Sequence, residues 1–193
     1  MEHLKTLSFT LVSLFFIACG NTGNAPTTLA SYSNYEIAEK TTQDEILNAI
    51  NEARAISRDC HDGNGVVSAA PALIWNNELY ASAYEHSYDL AQSNTFSHYG
   101  SGTTFDITGS NNGKSSYFND RIKANGYTGY KSIGENIAGG QESIQEAVNA
   151  WLASPTHCTN LMNANFQEIG VAVATNASSE YGIYWTQSFG TKK

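Results

Sequence analysis

The order of two periodicities constrains this chain more than any other feature. Apolar residues recur at helical spacing through the first part of the chain and alternate near its end. Ile46, Leu47, Ile50, Ala53 and Ile56 follow Thr42 and Glu45, a capping-box pair, so a helix is predicted to start just after Thr42. Asn76 is the predicted cap of a second helix, with Leu79, Ala83, His86 and Leu90 on one face and Leu73-Ile74-Trp75 as a buried lead-in. A short helix is predicted from about Tyr117 to Ala124, stopped by Asn125-Gly126. Another is predicted from about Ile144 to Ala153, with Ala147, Val148, Trp151 and Leu152 facing inward. Ser154-Pro155 then reads as an N-cap with proline at the first helical position. Beyond these, Ile169, Val171 and Val173 alternate with smaller residues, and Ile183, Trp185 and Phe189 alternate with Tyr184, Thr186 and Ser188. That pattern predicts an antiparallel hairpin turned by residues 176–180. Helices followed by a hairpin imply a layered α+β domain. The Gly, Ser, Thr and Asn of residues 100–116 read as a loop, open to being mobile.

The start of the chain reads as an export signal. Leu11 to Ile17 is an almost unbroken apolar run, too short to span a bilayer, and Ala18-Cys19 closes it. A small residue before a cysteine resembles the lipobox of bacterial lipoproteins, although Phe16 stands where a smaller aliphatic residue is usual; the alternative is an ordinary cleaved signal. The expected division is a signal over 1–18, a flexible tether over 19–41 and one domain over 42–193, with lipid on Cys19. The polar tether would hold the domain roughly 25 Å from its lipid. The expected location is therefore bacterial and exported: a cell-envelope lipoprotein or a secreted protein.

Removing Glu2 and Lys5 with the signal leaves the net charge at -8. No cluster of Lys and Arg is visible, so a nucleic-acid partner is excluded. Cys60 and Cys158 remain as an even pair in an oxidising compartment, where a disulfide is expected and two buried free thiols are the alternative. In the chain-entropy model, closing a loop of about a hundred residues is worth up to ~4.7 kcal/mol.

Three polar residues stand inside dense motifs: His98 in Phe96-Ser97-His98, Glu135 in Gly134-Glu135-Asn136-Ile137-Ala138, and His157 in Ser154-Pro155-Thr156-His157-Cys158. Each has a functional and a plain reading. His98 is a metal ligand or general base, or a ring pinned by a backbone carbonyl. Glu135 is a ligand or acid/base, or a buried carboxylate accepting backbone N–H groups; Gly134 before it allows a tight turn or close backbone approach. His157 falls in the first turn of its helix, whose positive end would keep the ring neutral and fit for metal. Glu168 either completes a His2Glu2 cluster or is a solvated charge at a strand end. His86 reads as a packed, hydrogen-bonded core residue and His61 as a loop residue.

Taken in order, these motifs resemble one family. Leu73-Ile74-Trp75-Asn76, Asp120-Arg121-Ile122 with Gly126-Tyr127, Trp151-Leu152-Ala153-Ser154-Pro155, Asn160-Leu161-Met162, Glu168-Ile169-Gly170-Val171 and Tyr184-Trp185-Thr186-Gln187 join the three motifs above. From about Thr42 to Gly190 the chain resembles the CAP superfamily, also called SCP-like, and most of all its bacterial extracellular branch. The resemblance implies a three-layer α-β-α sandwich with a central antiparallel sheet and a large open cleft. It also implies a cleft built from two His and two Glu, which in some members binds a divalent ion such as zinc. His98, Glu135 and His157 match three of those residues. The second glutamate lies three residues after a tryptophan, and counted from Trp151 that place is Ser154. Cys60 and Cys158 match a cysteine pair of some bacterial members.

The function expected is non-catalytic binding in the cleft of a ligand: a lipid-like molecule, a weakly held divalent metal such as zinc, or a partner. The alternatives are a metal-assisted hydrolase, using His98, Glu135 and His157 with Glu168 as base, and glycosidase chemistry with Glu135 and Glu168 as the acid pair. Neither a Ser nucleophile elbow nor a His-Glu-x-x-His helix is present to favour a conventional hydrolase.

Overall fold

A computed structural model describes residues 40–193. The signal, Cys19 and all but the last two residues of the tether lie outside the described residues. The chain runs α1 (Gln43–Arg54), β1 (Arg58–Asp59), β2 (Val66–Val67), β3 (Ile74–Trp75), α2 (Asn77–Ser93), α3 (Ile107–Asn111), α4 (Phe118–Ala124), β4 (Tyr130–Gly139), α5 (Ile144–Ala153), α6 (Pro155–Leu161), β5 (Glu168–Thr175) and β6 (Ile183–Lys192). The α+β class holds.

Local signals set the helix starts. Glu45 N donates to Thr42 Oγ1 at 3.3 Å while Thr42 N donates to Glu45 Oε2 at 2.7 Å, which satisfies two otherwise orphaned donors. The Asn76 side chain accepts from Glu78 N and Leu79 N at 2.9 and 3.0 Å. Ser154 occupies the N-cap of α6 with Pro155 at N1, but its hydroxyl makes no cap bond. Ile56 falls beyond α1 and is exposed, against expectation.

The main sheet has the order β3-β5-β6-β4. β5 and β6 form the expected antiparallel hairpin, and β4 pairs antiparallel with β6. The expected central antiparallel sheet is present, and one short strand joins its edge in parallel: β3 pairs with β5 through Ile74 with Glu168 and Trp75 with Ile169. This short edge strand also leaves Ile74 exposed, so only Leu73 of the lead-in is fully buried. β4 itself was not foreseen. Its Gly134, Glu135 and Asn136 are weak strand formers, and pairing with β6 overrides their preference.

β6 lies between β5 and β4, and both of its faces are covered. On one face, Ile183, Trp185 and Phe189 pack with Ile50 of α1 and with Val148 and Trp151 of α5. On the other, Tyr184 and Ile137 pack against Leu90 and Ala91 of α2, while Ile122 of α4 joins Leu79 and Tyr127. These are the three layers. The alternation in β6 therefore divides two buried faces, not inside from outside. α2 approaches the sheet so closely that a Cβ on Gly170 would overlap the backbone of Leu79 and Tyr80.

Residues 100–116 are not a free loop. They contain α3 and are tied down by three buried acids. Asp89 accepts from Ser101 N at 2.8 Å and Ser101 Oγ at 2.5 Å. Glu85 accepts from Thr108 N at 2.6 Å and Thr108 Oγ1 at 3.0 Å. Asp106 accepts from Gly102, Gly109 and Ser116 backbone N–H groups and from the Ser116 hydroxyl. Segments of this composition fold when buried carboxylates supply acceptors for their backbone donors.

Candidate functional site

β4 is an edge strand, and the two helical layers meet beside it. Successive side chains of a strand point to opposite faces, so Glu135 and Asn136 address different layers. Glu135 faces the α2 and α4 side. Its Oε1 lies 2.9 Å from His98 Nδ1, and its Oε2 accepts from Arg121 Nη2 at 2.8 Å. Asn136 faces the α6 side, where its Nδ2 donates to the His157 carbonyl at 3.0 Å and to Gln187 Oε1 at 3.0 Å. Asn160 Nδ2 donates back to Asn136 Oδ1 and to the Glu135 carbonyl at 3.1 and 3.2 Å. Two neighbouring residues thus position two imidazoles from opposite layers. The His98 and His157 ring centroids lie 6.3 Å apart. Gly134 serves close approach, because a Cβ there would press on the Phe166 ring.

The expected disulfide is present. Cys60 and Cys158 are bonded, with Cα atoms 5.5 Å apart, and this ties α6 to the segment around β1. Thr159 Oγ1 adds a bond to Asp62 Oδ2 at 2.9 Å on the same helix. His157 is therefore held by its backbone from both sides.

Electrostatics separate the roles. The Glu135 side chain is 1% exposed and that of His98 is 40% exposed, so the carboxylate is a support and the ring faces out. Burial alone would push Glu135 up. The charges of His86 and Arg121, and hydrogen bonds from His98 and Arg121, outweigh burial and hold it down at about 2. Burial also pushes His86 down to about 4, so its charge acts on Glu135 only in acid, whereas Arg121, 2.8 Å from Glu135 Oε2, supplies a permanent one. His157 is lowered by burial first and by the nearby His98 second.

His98, Glu135 and His157 do converge on one edge of the sheet, as their motifs implied. Glu168 does not join them: its Oε1 accepts from Asn76 Nδ2 at 2.9 Å and its Oε2 from the Tyr127 hydroxyl at 2.6 Å. It is neither a solvated charge nor a partner for Glu135, but a brace between the start of α2 and Tyr127. The glycosidase pair fails on chemistry as well, since a general acid must keep its proton near neutral pH and Glu135 is held far below. His86 is buried as expected, with Nε2 2.9 Å from the Ser97 carbonyl. Arg121 is the residue the sequence reading passed over. The signal was a lone arginine beside Ile122 in a short amphipathic helix, with no acid at helical spacing to pair with it on the surface.

The donor set bears on metal. Glu135 has both oxygens engaged, Glu168 is elsewhere, and Ser154 brings only a hydroxyl. Among the described residues, no three His, Cys, Asp or Glu side chains are grouped to hold an ion. Two imidazoles fall short of the three protein ligands of a catalytic zinc site.

Helical layers on both faces of a four-stranded sheet, with His98, Glu135 and His157 gathered at one edge, define an SCP-type α-β-α sandwich. The chain belongs to the CAP family, described as the cysteine-rich secretory protein family, whose pattern matches residues 47–189. It is similar to the uncharacterised protein YkwD of Bacillus subtilis, with 36% identity over 113 residues, covering 58% of this chain and 36% of that protein. It is also similar to the uncharacterised membrane protein YlbC of Bacillus subtilis, with 30% identity over 121 residues, covering 61% of this chain and 28% of that protein. The match therefore spans about a third of the length of these curated relatives. Among solved structures, an extracellular SCP-domain protein of Bacillus anthracis aligns with a TM-score of 0.55 and 26% identity over 78% of this chain and 40% of that one. An outer surface protein of Borrelia burgdorferi aligns with a TM-score of 0.53 and 22% identity over 79% of this chain and 96% of that one, a likeness of fold. Among the described residues, no helix is long and apolar enough to cross a membrane.

Proposed function

We propose that this chain is an exported, lipid-anchored CAP domain whose cleft at the β4 edge holds a ligand through His98 and His157 without turning it over. One observation carries the reading: both oxygens of Glu135 are engaged, one by His98 and one by Arg121. The site therefore offers two positioned rings for hydrogen bonding, while its Glu135 carboxylate is already committed. The ligand class is a lipid-like molecule with a polar head, or a polar group of a partner protein. A divalent ion such as zinc would be held weakly by two imidazoles, and the reading does not depend on one. Export is supported by the apolar run before Ala18-Cys19 and by the likeness to the extracellular protein of Bacillus anthracis.

Hydrolysis in the same cleft is the second reading. The His98–Glu135 pair favours it, because a carboxylate on Nδ1 fixes the tautomer and orients a ring as a base. Native mass spectrometry of protein released by mild detergent separates the two readings. The expected result is a bound small molecule on the wild type that is missing from the His98→Ala/His157→Ala double variant, with no turnover of casein or peptidoglycan. Turnover abolished by His98→Ala would replace the binding reading with the hydrolytic one. The anchor has its own check: Cys19→Ser should move the protein from the membrane fraction to the soluble fraction.

A further inference from the structure

The solvent side of α2 carries a row of aromatic rings that the cleft does not use. Tyr80, Tyr84 and Tyr88 recur every four residues, the spacing that stacks side chains along a helix. Their centroids are 6.3 and 6.2 Å apart, and Trp75 and Phe105 extend the row at 5.6 and 6.0 Å. The three tyrosines are 40%, 48% and 36% exposed, so the row is a continuous surface and not part of the core. A groove of about 330 Å³ flanks it toward β5, and one of about 400 Å³ flanks it toward Ile107 and Asn125. Single exposed aromatic residues are ordinary, but a contiguous aromatic strip on a surface marks a place of contact.

Charge decides what it contacts. The chain is strongly acidic, yet the exposed stripe of α2 is made of Asn77, Tyr80, Ala81, Tyr84, Tyr88 and Gln92 and bears no charge. The acids of this helix are used elsewhere: Glu85 and Asp89 are buried and bonded, and Glu78 pairs with Lys192 at 2.8 Å. An uncharged strip on an anionic protein fits an uncharged ligand. Bases stack on such rings too, but a phosphate backbone needs the Lys and Arg that are absent here. Each tyrosine also adds a hydroxyl to its apolar face, which suits a ligand apolar on its faces and polar at its edges. Sugar rings have that character, with C–H groups on the face and hydroxyls around the rim. We infer that the Trp75–Tyr80–Tyr84–Tyr88–Phe105 row is a binding platform for an uncharged polysaccharide chain, separate from the His98/His157 cleft.

Titration of the mature protein with N-acetylglucosamine hexamer and with cellohexaose, followed by NMR shifts and calorimetry, tests this. Saturable binding of at least one hexamer is expected, weakened tenfold or more by Tyr84→Ala and unchanged by Tyr181→Ala, an exposed tyrosine outside the row. Circular dichroism of Tyr84→Ala should match the wild type, so that lost binding is not lost folding. Three outcomes would overturn the inference. They are no binding of either hexamer, binding insensitive to Tyr84→Ala, and a wild-type dimer in sedimentation that Tyr84→Ala dissociates, which would make a second copy the occupant.

Discussion

The two sides of α2 depart from a simple apolar-in, polar-out helix, because buried Leu79, Ala83, Leu90 and Ala91 share the inner side with charged and polar groups. Its inner side carries Glu85, His86 and Asp89, all buried, while its outer side carries the rings of Tyr80, Tyr84 and Tyr88. On the inner side, these three side chains have partners on later segments: Thr108 and Asn125 for Glu85, Ser97 for His86, and Ser101 for Asp89. That side is a rack on which residues 97–116 are hung, and His98 belongs to the hung segment. The outer side touches the fold at the ends of its row, Tyr80 against Trp75 and Tyr88 against Phe105, and keeps Tyr84 about half exposed. Buried polarity with partners is therefore structural here, and exposed aromaticity is available for contact.

The sharpest way to break the contrast is Arg121→Met. It leaves the buried Glu135 anion without its cation and removes donors to the Ser116 hydroxyl and the His98 carbonyl. Removing one partner of a buried pair costs about 3–5 kcal/mol, measurable by denaturant unfolding. Adding Glu135→Gln should restore part of that loss, and a double variant as weak as the single would deny the coupling.

Acidification acts next. His86 is pushed down to about 4 when folded, from 6.5 when unfolded. The unfolded chain thus binds the extra proton first, and the stabilisation is complete above 6.5 and lost as pH falls toward 4. A shift of this size corresponds to about 3 kcal/mol. Glu135 extends the decline from the ordinary carboxylate value toward its own value of about 2. In His86→Gln, the slope of stability between pH 6.5 and 4 should flatten; an unchanged slope would remove His86 from the account.

Asp89→Asn probes the rack more gently. Weakening a buried acceptor costs about 1–3 kcal/mol, and amide exchange across residues 101–116 should quicken more than elsewhere. The smallest effect belongs to the outer side: Tyr84→Ala should change stability by no more than about 0.5 kcal/mol. If it costs as much as Asp89→Asn, both sides of α2 are structural and the contrast fails.

The helix starts were legible because capping is local: Thr42 with Glu45, and Asn76 with the turn after it, need no tertiary partner. The hairpin was legible because its alternation is strong. β4 was not, since Gly134-Glu135-Asn136 has neither strand propensity nor an apolar rhythm and is extended only by pairing with β6. At the site, His98, Glu135 and His157 could be picked out because polar residues stood in unusual company. Their roles could not, because what Glu135 does depends on Arg121, and the pairing is made by α4 packing beside β4. Glu168 misled for the same reason: a carboxylate at a strand start looks alike whether it faces water, a metal, or Asn76 and Tyr127.

His98 and His157 reach the β4 edge from different helical layers. A molecule touching both rings is a strut across the sheet's open side, and its binding energy adds to the cohesion of the fold. At a hundred times its Kd, such a strut contributes about 2.7 kcal/mol. On the proposed function, the midpoint of thermal unfolding is thus a sensor of occupancy between the two rings, and it reports a ligand before its identity is known.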